Sequence, residues 1–338
     1  LDLINEYGAD ALRFATSRSA TGGQDVRWDN RQVEMGRNFC TKLWNAARFA
    51  SMSGAFTGVS ASFDLPVGAT LPDRWILSRL QSVTREVTDH LEAFDLGAAN
   101  RALYEFVWSE LCDWYLEAAK PALREQNPAT VATLGHVIVQ ALKLLHPLMP
   151  FVTSELYQVL GAEEQLAWTA WPTADTDLRD EEAEREFARL QDAISAARAL
   201  RAEAELSPTV HLELSASGPG AGELLRHTAL FAALARAGLS ESHPSGASLS
   251  RALAGLELHM QLAGQVDLGE YLKRQQSRLG KVEAELERSE RKLSQERFVT
   301  GAPPEVVEEE RRRLAEARDV KARLETLLER LHESGGHA

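Results

Sequence analysis

The chain has 338 residues, 44% of them hydrophobic, which gives room for two or three domains with a sizeable core. Its 50 acidic residues outweigh 37 basic ones, and the formal net charge of -13 excludes a uniformly basic nucleic-acid surface, leaving such contacts to local patches. No run of about eighteen apolar residues predicts a membrane span, and the two cysteines, Cys40 and Cys112, sit apart without a Cys-x-x-Cys, so they read as buried thiols and not as zinc ligands.

Residues 1 to 35 read as a short helix and a loop. From Gly36 to Phe49 the pattern is an amphipathic helix. Phe39, Leu43, Ala46 and Ala47 share one face, while Arg37, Lys42, Asn45, Arg48 and Phe49 spread around the rest. Cations meet phosphate, an amide reads a base edge and an aromatic stacks, so this composition suits RNA. It also suits a bundle helix with an ordinary solvated face. Residues 31 to 50 carry Arg31, Arg37, Lys42 and Arg48 against Glu34, a local excess of positive charge.

Pro72-Asp73 marks a helix start, with Asp73 expected to cap the amides that follow. Trp75, Leu77, Leu80, Val83, Val87 and Leu91 supply its buried stripe. A third helix, about Ala98 to Ala119, carries Leu103, Phe106, Val107, Leu111, Trp114 and Tyr115 and stops before Pro121. A fourth, about Ala129 to Leu145, ends at His146-Pro147, and a short helix follows Pro150. Residues 36 to about 172 therefore predict an antiparallel helical bundle.

A long helix, Glu181 to Ala204, opens the next region. Val210 to Leu214 and Leu256 to Met260 alternate as half-buried strands do, with a helix between, near Gly222 to Ala237. This predicts a small α/β module, in which His211 and His259 lie on the polar strand faces and read as exposed histidines in preference to a metal pair. From Leu268 to Leu331, heptads of Leu272, Leu279, Leu286 and Leu293 meet Val307, Leu314, Ala317, Leu324, Leu328 and Leu331, with Phe298 to Pro304 as the turn. That is an antiparallel coiled-coil hairpin of roughly 39 Å reach, interrupted at Lys321, whose stem can snorkel outward. The whole chain is thus predicted to be mainly α: bundle, small α/β module, coiled coil.

Three blocks carry a resemblance: Tyr7-Gly8-Ala9-Asp10-Ala11-Leu12-Arg13-Phe14, then Gly22-Gly23-Gln24-Asp25-Val26, then Arg37 to Phe49. They resemble the valyl-tRNA synthetase family just after its catalytic domain. Asp73 to Ser78, Trp114-Tyr115-Leu116-Glu117 and His146 to Phe151 agree, and only about Thr209 to Gly264 matches weakly. The class I signatures, a His-x-Gly-His type motif and Lys-Met-Ser-Lys-Ser, are absent from this chain. It begins mid-motif at Leu1-Asp2-Leu3-Ile4, so it reads as the C-terminal part of a larger enzyme. By itself it is expected to bind tRNA and catalyse nothing.

The resemblance implies four segments: a junction after the catalytic domain (1–35), an anticodon-binding bundle (36–176), the α/β module (177–266) and a tRNA-binding arm (267–334). It implies a valine tRNA as partner, a monomer in the cytoplasm without DNA or membrane, no cofactor or metal here, and ATP and magnesium in the parent. Anticodon contacts then fall to Arg31, Arg37, Lys42, Asn45 and Phe49, with Leu111 as an apolar candidate and Asn38 and Arg48 as second choices. Arm contacts fall to Lys273, Arg274, Arg278, Lys281, Arg288, Arg291 and Lys292 on the outgoing helix, and Arg311, Arg312, Arg313 and Arg318 on the return helix. Two competing readings stay open. One is the same region of an isoleucyl or leucyl enzyme, which lacks support from a cysteine cluster. The other is a scaffold whose hairpin recruits a partner helix; it leaves the Arg37 to Phe49 wording unexplained.

Overall fold

The structure, a computed structural model, describes residues 1–20, 29–56, 64–241 and 248–335. The chain divides into two compact units, Leu1–Arg189 and Leu190–Ala338. The Gly22 to Val26 block lies outside the described residues.

In the first unit, α1 (Asp2–Tyr7) and α2 (Ala9–Ser19) precede α3 (Asn30–Met52). The opening residues hold two helices where one was expected, and α2 is part of the core: buried Phe14 meets Phe39 at 5.2 Å between ring centroids. α3 starts well before Gly36 because Asp29 caps it, accepting the Arg31 N–H at 2.9 Å. Gly36 instead lets α2 cross closely, since a Cβ there would stand 2.6 Å from the Ala11 carbonyl oxygen.

α4 (Leu71–Glu92) is joined to its neighbours by one buried carboxylate. Asp73 does not cap the amides after it, as its position suggested. It is the third residue of the helix and reaches back, accepting the Thr70 N–H at 2.9 Å and the Thr70 hydroxyl at 2.7 Å. The same oxygen accepts the Thr130 hydroxyl at 2.7 Å, and the other accepts the Tyr115 hydroxyl at 2.7 Å. Burial, then the Asp73 charge, hold the Tyr115 phenol well above its ordinary pKa, so it remains a donor.

α5 (Leu96–Glu105) runs into a π-helical segment, Phe106–Tyr115, and on into α6 (Leu116–Arg124). The helix expected to stop before Pro121 continues through it for one further turn, at the cost of the bond the missing N–H would make to the Glu117 carbonyl. In the wide segment residues five apart align, which buries Phe106 with Leu111 and Val107 with Cys112. α7 (Pro128–Leu145) is capped by Asn127, which accepts the Ala129 N–H at 2.9 Å. By length and composition it could cross a membrane, but 67% of it is buried in the bundle. α8 (Pro150–Val159) is capped from a distance: Asp10 accepts the Val152 N–H at 2.6 Å, and Arg13 donates to the Leu148 and Pro147 carbonyls at 3.1 and 2.9 Å.

α9 (Glu181–Glu203) contains the boundary between units. Its first turns belong to the bundle, with Phe187 stacked on Trp75 at 4.1 Å and Asp180 accepting from Arg74 Nε at 2.7 Å.

The second unit holds β1 (Leu212–Ser217), α10 (Ala221–Leu225), α11 (Thr228–Ala235), β2 (Ala237–Ser240), β3 (Ser248–Leu253) and β4 (Leu256–Gln261). The sheet order is β2-β1-β4-β3, parallel between β1 and β2 and antiparallel elsewhere. Sequence alternation located β1 and β4 but not β2 and β3. β2 is four residues long, and β3 buries only Leu249, so neither writes a period-two pattern. The helix expected between the strands is broken in two. His259 is not an exposed histidine: its side chain is 13% exposed and sits 2.9 Å from the Ser217 hydroxyl. His211 precedes β1 and is exposed.

The hairpin is α12 (Leu268–Ser294), a short α13 (Glu296–Gly301) that overlaps the expected turn, and α14 (Pro304–Gly335). Leu286, Val307, Ala317, Leu324, Leu328 and Leu331 are buried in the seam. Lys321 does snorkel, reaching Glu283 at 3.0 Å. Near the turn the seam holds a carboxylate: Glu310 is 7% exposed and accepts the Ser289 hydroxyl at 2.8 Å, with Lys292 Nζ at 3.3 Å. At the root, Tyr271 is fully buried and donates to the Glu203 carbonyl at 3.1 Å.

Asp73→Ala strands the Tyr115 and Thr130 hydroxyls in the core and is expected to destabilise the first unit by roughly 3 kcal/mol. Tyr115→Phe removes a single donor and should cost about 1–2 kcal/mol. Urea unfolding of both variants checks this, and a near-neutral Asp73→Ala would remove the carboxylate from its central role.

Candidate nucleic-acid interface

α3 buries Val33, Phe39, Leu43, Ala46, Ala47 and Ala50 at three- and four-residue spacing, which leaves its other side to solvent. At about 100° per residue, Arg31, Asn38, Lys42, Asn45 and Phe49 fall along one edge of that open side, and Arg37 falls along the other. The contacts agree. Lys42 leans toward the π-helical segment, and Arg37 stands over the Tyr7 ring of α1 at 5.4 Å.

These cations are already engaged. Arg31 is held by Asp29 at 2.7 Å, and that carboxylate raises its pKa. Arg37 pairs with Glu34 at 3.3 Å. Lys42 pairs with Asp113 at 2.6 Å while its Nζ stands 3.8 Å from the centre of the Trp108 ring, and its side chain is only 22% exposed. Exposed pairs such as those of Arg31 and Arg37 contribute little, because solvent screens them, and exchange readily for phosphate. The Lys42 contact, with a cation–π term added, is the hardest to release.

Asn38, Asn45 and Arg48 are exposed and have no side-chain partner among the described residues, and Phe49 is half-buried. Leu111 is a correction. It is 0% exposed, packed in the core with Phe106, and has no surface to offer a base. Other groups beside this edge escaped the sequence reading. Tyr104 and Trp108, one turn apart, stack with centroids 5.4 Å apart, and Arg18 lies 4.8 Å over Tyr104. Trp44, 40% exposed, falls on the other edge, with Arg37 and Arg48. The four-residue spacing of Tyr104 and Trp108 was the available signal, but the approach of α2 and α3 to them was not written in it.

The arm sorts its charges by flank. On α12, Arg274, Arg278, Lys281, Arg288 and Lys292 fall within about a quarter of the helix circumference and extend over roughly 27 Å. The opposite flank carries Glu283, Glu287 and Glu290, of which Glu283 and Glu290 bind Lys321 and Arg318 across the seam at 3.0 and 2.7 Å. Lys273, Arg278, Lys281 and Arg288 have no carboxylate within ion-pair distance among the described residues, while Arg274 lies 3.4 Å from Glu205 and Arg291 2.6 Å from Glu287. Lys281, Arg288, Lys292 and Arg313 line a groove of about 590 Å³, with Glu285 and Glu310 as its acids. On α14 the cations are largely neutralised: Arg311 by Glu308 at 3.7 Å, Arg312 by Glu309 at 2.6 Å and Arg313 by Glu309 at 3.3 Å.

Nucleophilic chemistry has no support among the cysteines. Cys40 and Cys112 are free thiols, and burial pushes both up to about 12. Among the described residues no group of three His, Cys, Asp or Glu is placed to hold a metal ion.

Comparison with known proteins matches this division. The family profile for the anticodon-binding domain of tRNA ligases covers residues 73–216, and that for the valyl tRNA synthetase tRNA binding arm covers residues 267–332. Valine–tRNA ligase of Deinococcus radiodurans is 42% identical over 98% of this chain and 39% of its own length. That of Thermus thermophilus is 48% identical over 98% of the chain and 37% of its own length, and that of Clostridium acetobutylicum is 37% identical over 98% and 38%. The chain therefore spans a little over a third of the length of the curated relatives it matches. Carrying both an anticodon-binding segment and this arm, the chain belongs to the valyl-tRNA synthetase family.

Proposed function

We propose that this chain is the tRNA-recognition region of a valine–tRNA ligase. The bundle (36–176) reads the valine anticodon, the arm (267–334) rests on the outer corner of the tRNA, and residues 1–35 and 177–266 serve as junction and intervening module. The parent attaches valine to tRNA in the cytoplasm, using ATP and magnesium, and works as a monomer without DNA or membrane. The observation that carries the proposal is the open side of α3, where amides without a side-chain partner among the described residues, an aromatic and exchangeable cations lie along one helix.

Phe49 would stack an unpaired base, Asn45 would read an edge, and Arg31, Arg37, Lys42 and Arg48 would hold phosphate. The basic flank of α12 supplies affinity without sequence choice, because phosphate contacts position the RNA and base contacts discriminate. The net charge of -13 then falls on surfaces away from the RNA.

Fluorescence anisotropy with valine tRNA and an anticodon-swapped version, across a salt series, tests the division of labour. The chain should prefer the valine anticodon. Phe49→Ala should lose roughly 1–3 kcal/mol of binding to valine tRNA, the worth of one base–aromatic stack, and should narrow the preference. An unchanged preference takes Phe49 out of the site. Replacing Arg278, Lys281 and Arg288 together by Gln should weaken both tRNAs alike and flatten the log–log salt slope by roughly 2 to 3. A variant that lost anticodon preference instead would contradict the assignment of the arm, and absence of any tRNA binding would favour the scaffold reading.

A further inference from the structure

Three guanidinium groups converge at the C-terminal end of α11. Arg198 and Arg201 stand one turn apart on α9, and Arg236 follows α11 in a left-handed conformation with φ of 51°. With Leu206, Pro208 and Leu234 they line a recess of about 460 Å³ to which no carboxylate contributes. Arg201 is 7% exposed. Its Nη2 donates to the Ala235 and Arg236 carbonyls at 2.6 and 3.0 Å, and Arg198 Nη2 donates to the Leu234 carbonyl at 3.3 Å.

Capping α11 accounts for that part of the arrangement, since cations suit the carbonyl end of a helix. It does not account for the rest. Arg201 Nε is buried with no hydrogen-bond partner, and the Arg236 side chain has no carboxylate partner among the described residues. The nearest acids along the chain are turned elsewhere: Glu203 binds Arg251 at 3.0 Å, and Glu205 binds Arg274 at 3.4 Å and Gln275 at 3.3 Å. A buried charge without a counter-charge is costly, and like charges beside it add to the cost. Burial, then Arg198 and Arg236, accordingly lower the Arg201 pKa. A bound oxyanion removes both penalties, because guanidinium forks match phosphate oxygens.

We infer that this recess is an oxyanion site that takes a phosphate group, with Arg201 Nε as its buried donor and Arg198 and Arg236 closing over the ligand. The phosphate is either a backbone phosphate of bound tRNA, in which case the site extends the proposed RNA footprint into the α/β module, or free phosphate. The site itself stands without the tRNA reading; only the RNA source rests on it.

The test follows the Arg201 Nε–Hε resonance of the full chain, assigned with Arg201→Met, at constant ionic strength. Inorganic phosphate is titrated in one arm and valine tRNA in another, with chloride as control and tRNA binding read separately by anisotropy. A saturable shift with phosphate, weakened about ten-fold or more in Arg236→Gln, supports the site; Arg236 is exposed, so this variant leaves the α11 cap in place. A shift with bound tRNA that Arg236→Gln diminishes supports the RNA source, and a phosphate shift that tRNA leaves untouched supports free phosphate. No shift with phosphate and none with tRNA that anisotropy shows to be bound overturns the inference, as does an equal shift with chloride. If tRNA fails to bind at all, the phosphate arm still decides, so the two proposals fail separately.

Discussion

The bundle depends on a carboxylate that solvent never reaches. Asp73 is 0% exposed and draws hydrogen bonds from α4's own start, from the π-helical segment and from the first turn of α7. A buried charge persists only when its oxygens are fully engaged, so these partners fix three helices against one another to within hydrogen-bond tolerance. The α3 surface inherits its geometry from that frame: the π-helical segment that presents Tyr115 to Asp73 also presents Trp108 and Asp113 to Lys42.

The most recognisable words in the sequence turn out to be wiring. Tyr7 to Phe14 and His146 to Phe151 are hydrogen-bonded to each other through Asp10, which accepts the Phe151 N–H, and Arg13. Asp73 to Ser78 and Trp114-Tyr115 meet around Phe187, through a stacked Trp75 and an edge-on Trp114 at 6.4 Å. These blocks identify the architecture, and among the described ones the Arg37 to Phe49 block also faces solvent with groups suited to RNA.

Apolar periodicity was enough to locate α4, α7, α9 and both long helices of the arm, because each presents a continuous buried stripe. It failed where local pattern and tertiary role part company. Asp73 has the spacing of a cap for the amides ahead, yet its partners Tyr115 and Thr130 lie 42 and 57 residues away. Leu111 was read as both stripe and surface, and the five-residue repeat of a π-helix decided for the core. The cations of α3 were visible as letters, but Asp113, 71 residues from Lys42, was not visible as its counter-ion. Arg201 carried no signal in the sequence, and what sets it apart is that among the described residues no acid lines its recess.

Glu310 has a consequence for how the arm can change in length. Its carboxylate is matched to Ser289 and Lys292 at one level of the seam. Slide α14 by a heptad toward the root of α12 and that carboxylate comes level with Val282, out of reach of Ser289 and Lys292. The hairpin is therefore a ruler marked by the Glu283–Lys321 and Glu290–Arg318 pairs and, nearer its tip, by the Glu310 contact. Insertions or deletions between the Glu310 contact and the root must come in equal steps on both helices, and a heptad added to one alone breaks either the Glu310 contact or the packing around Tyr271 before the tip moves at all.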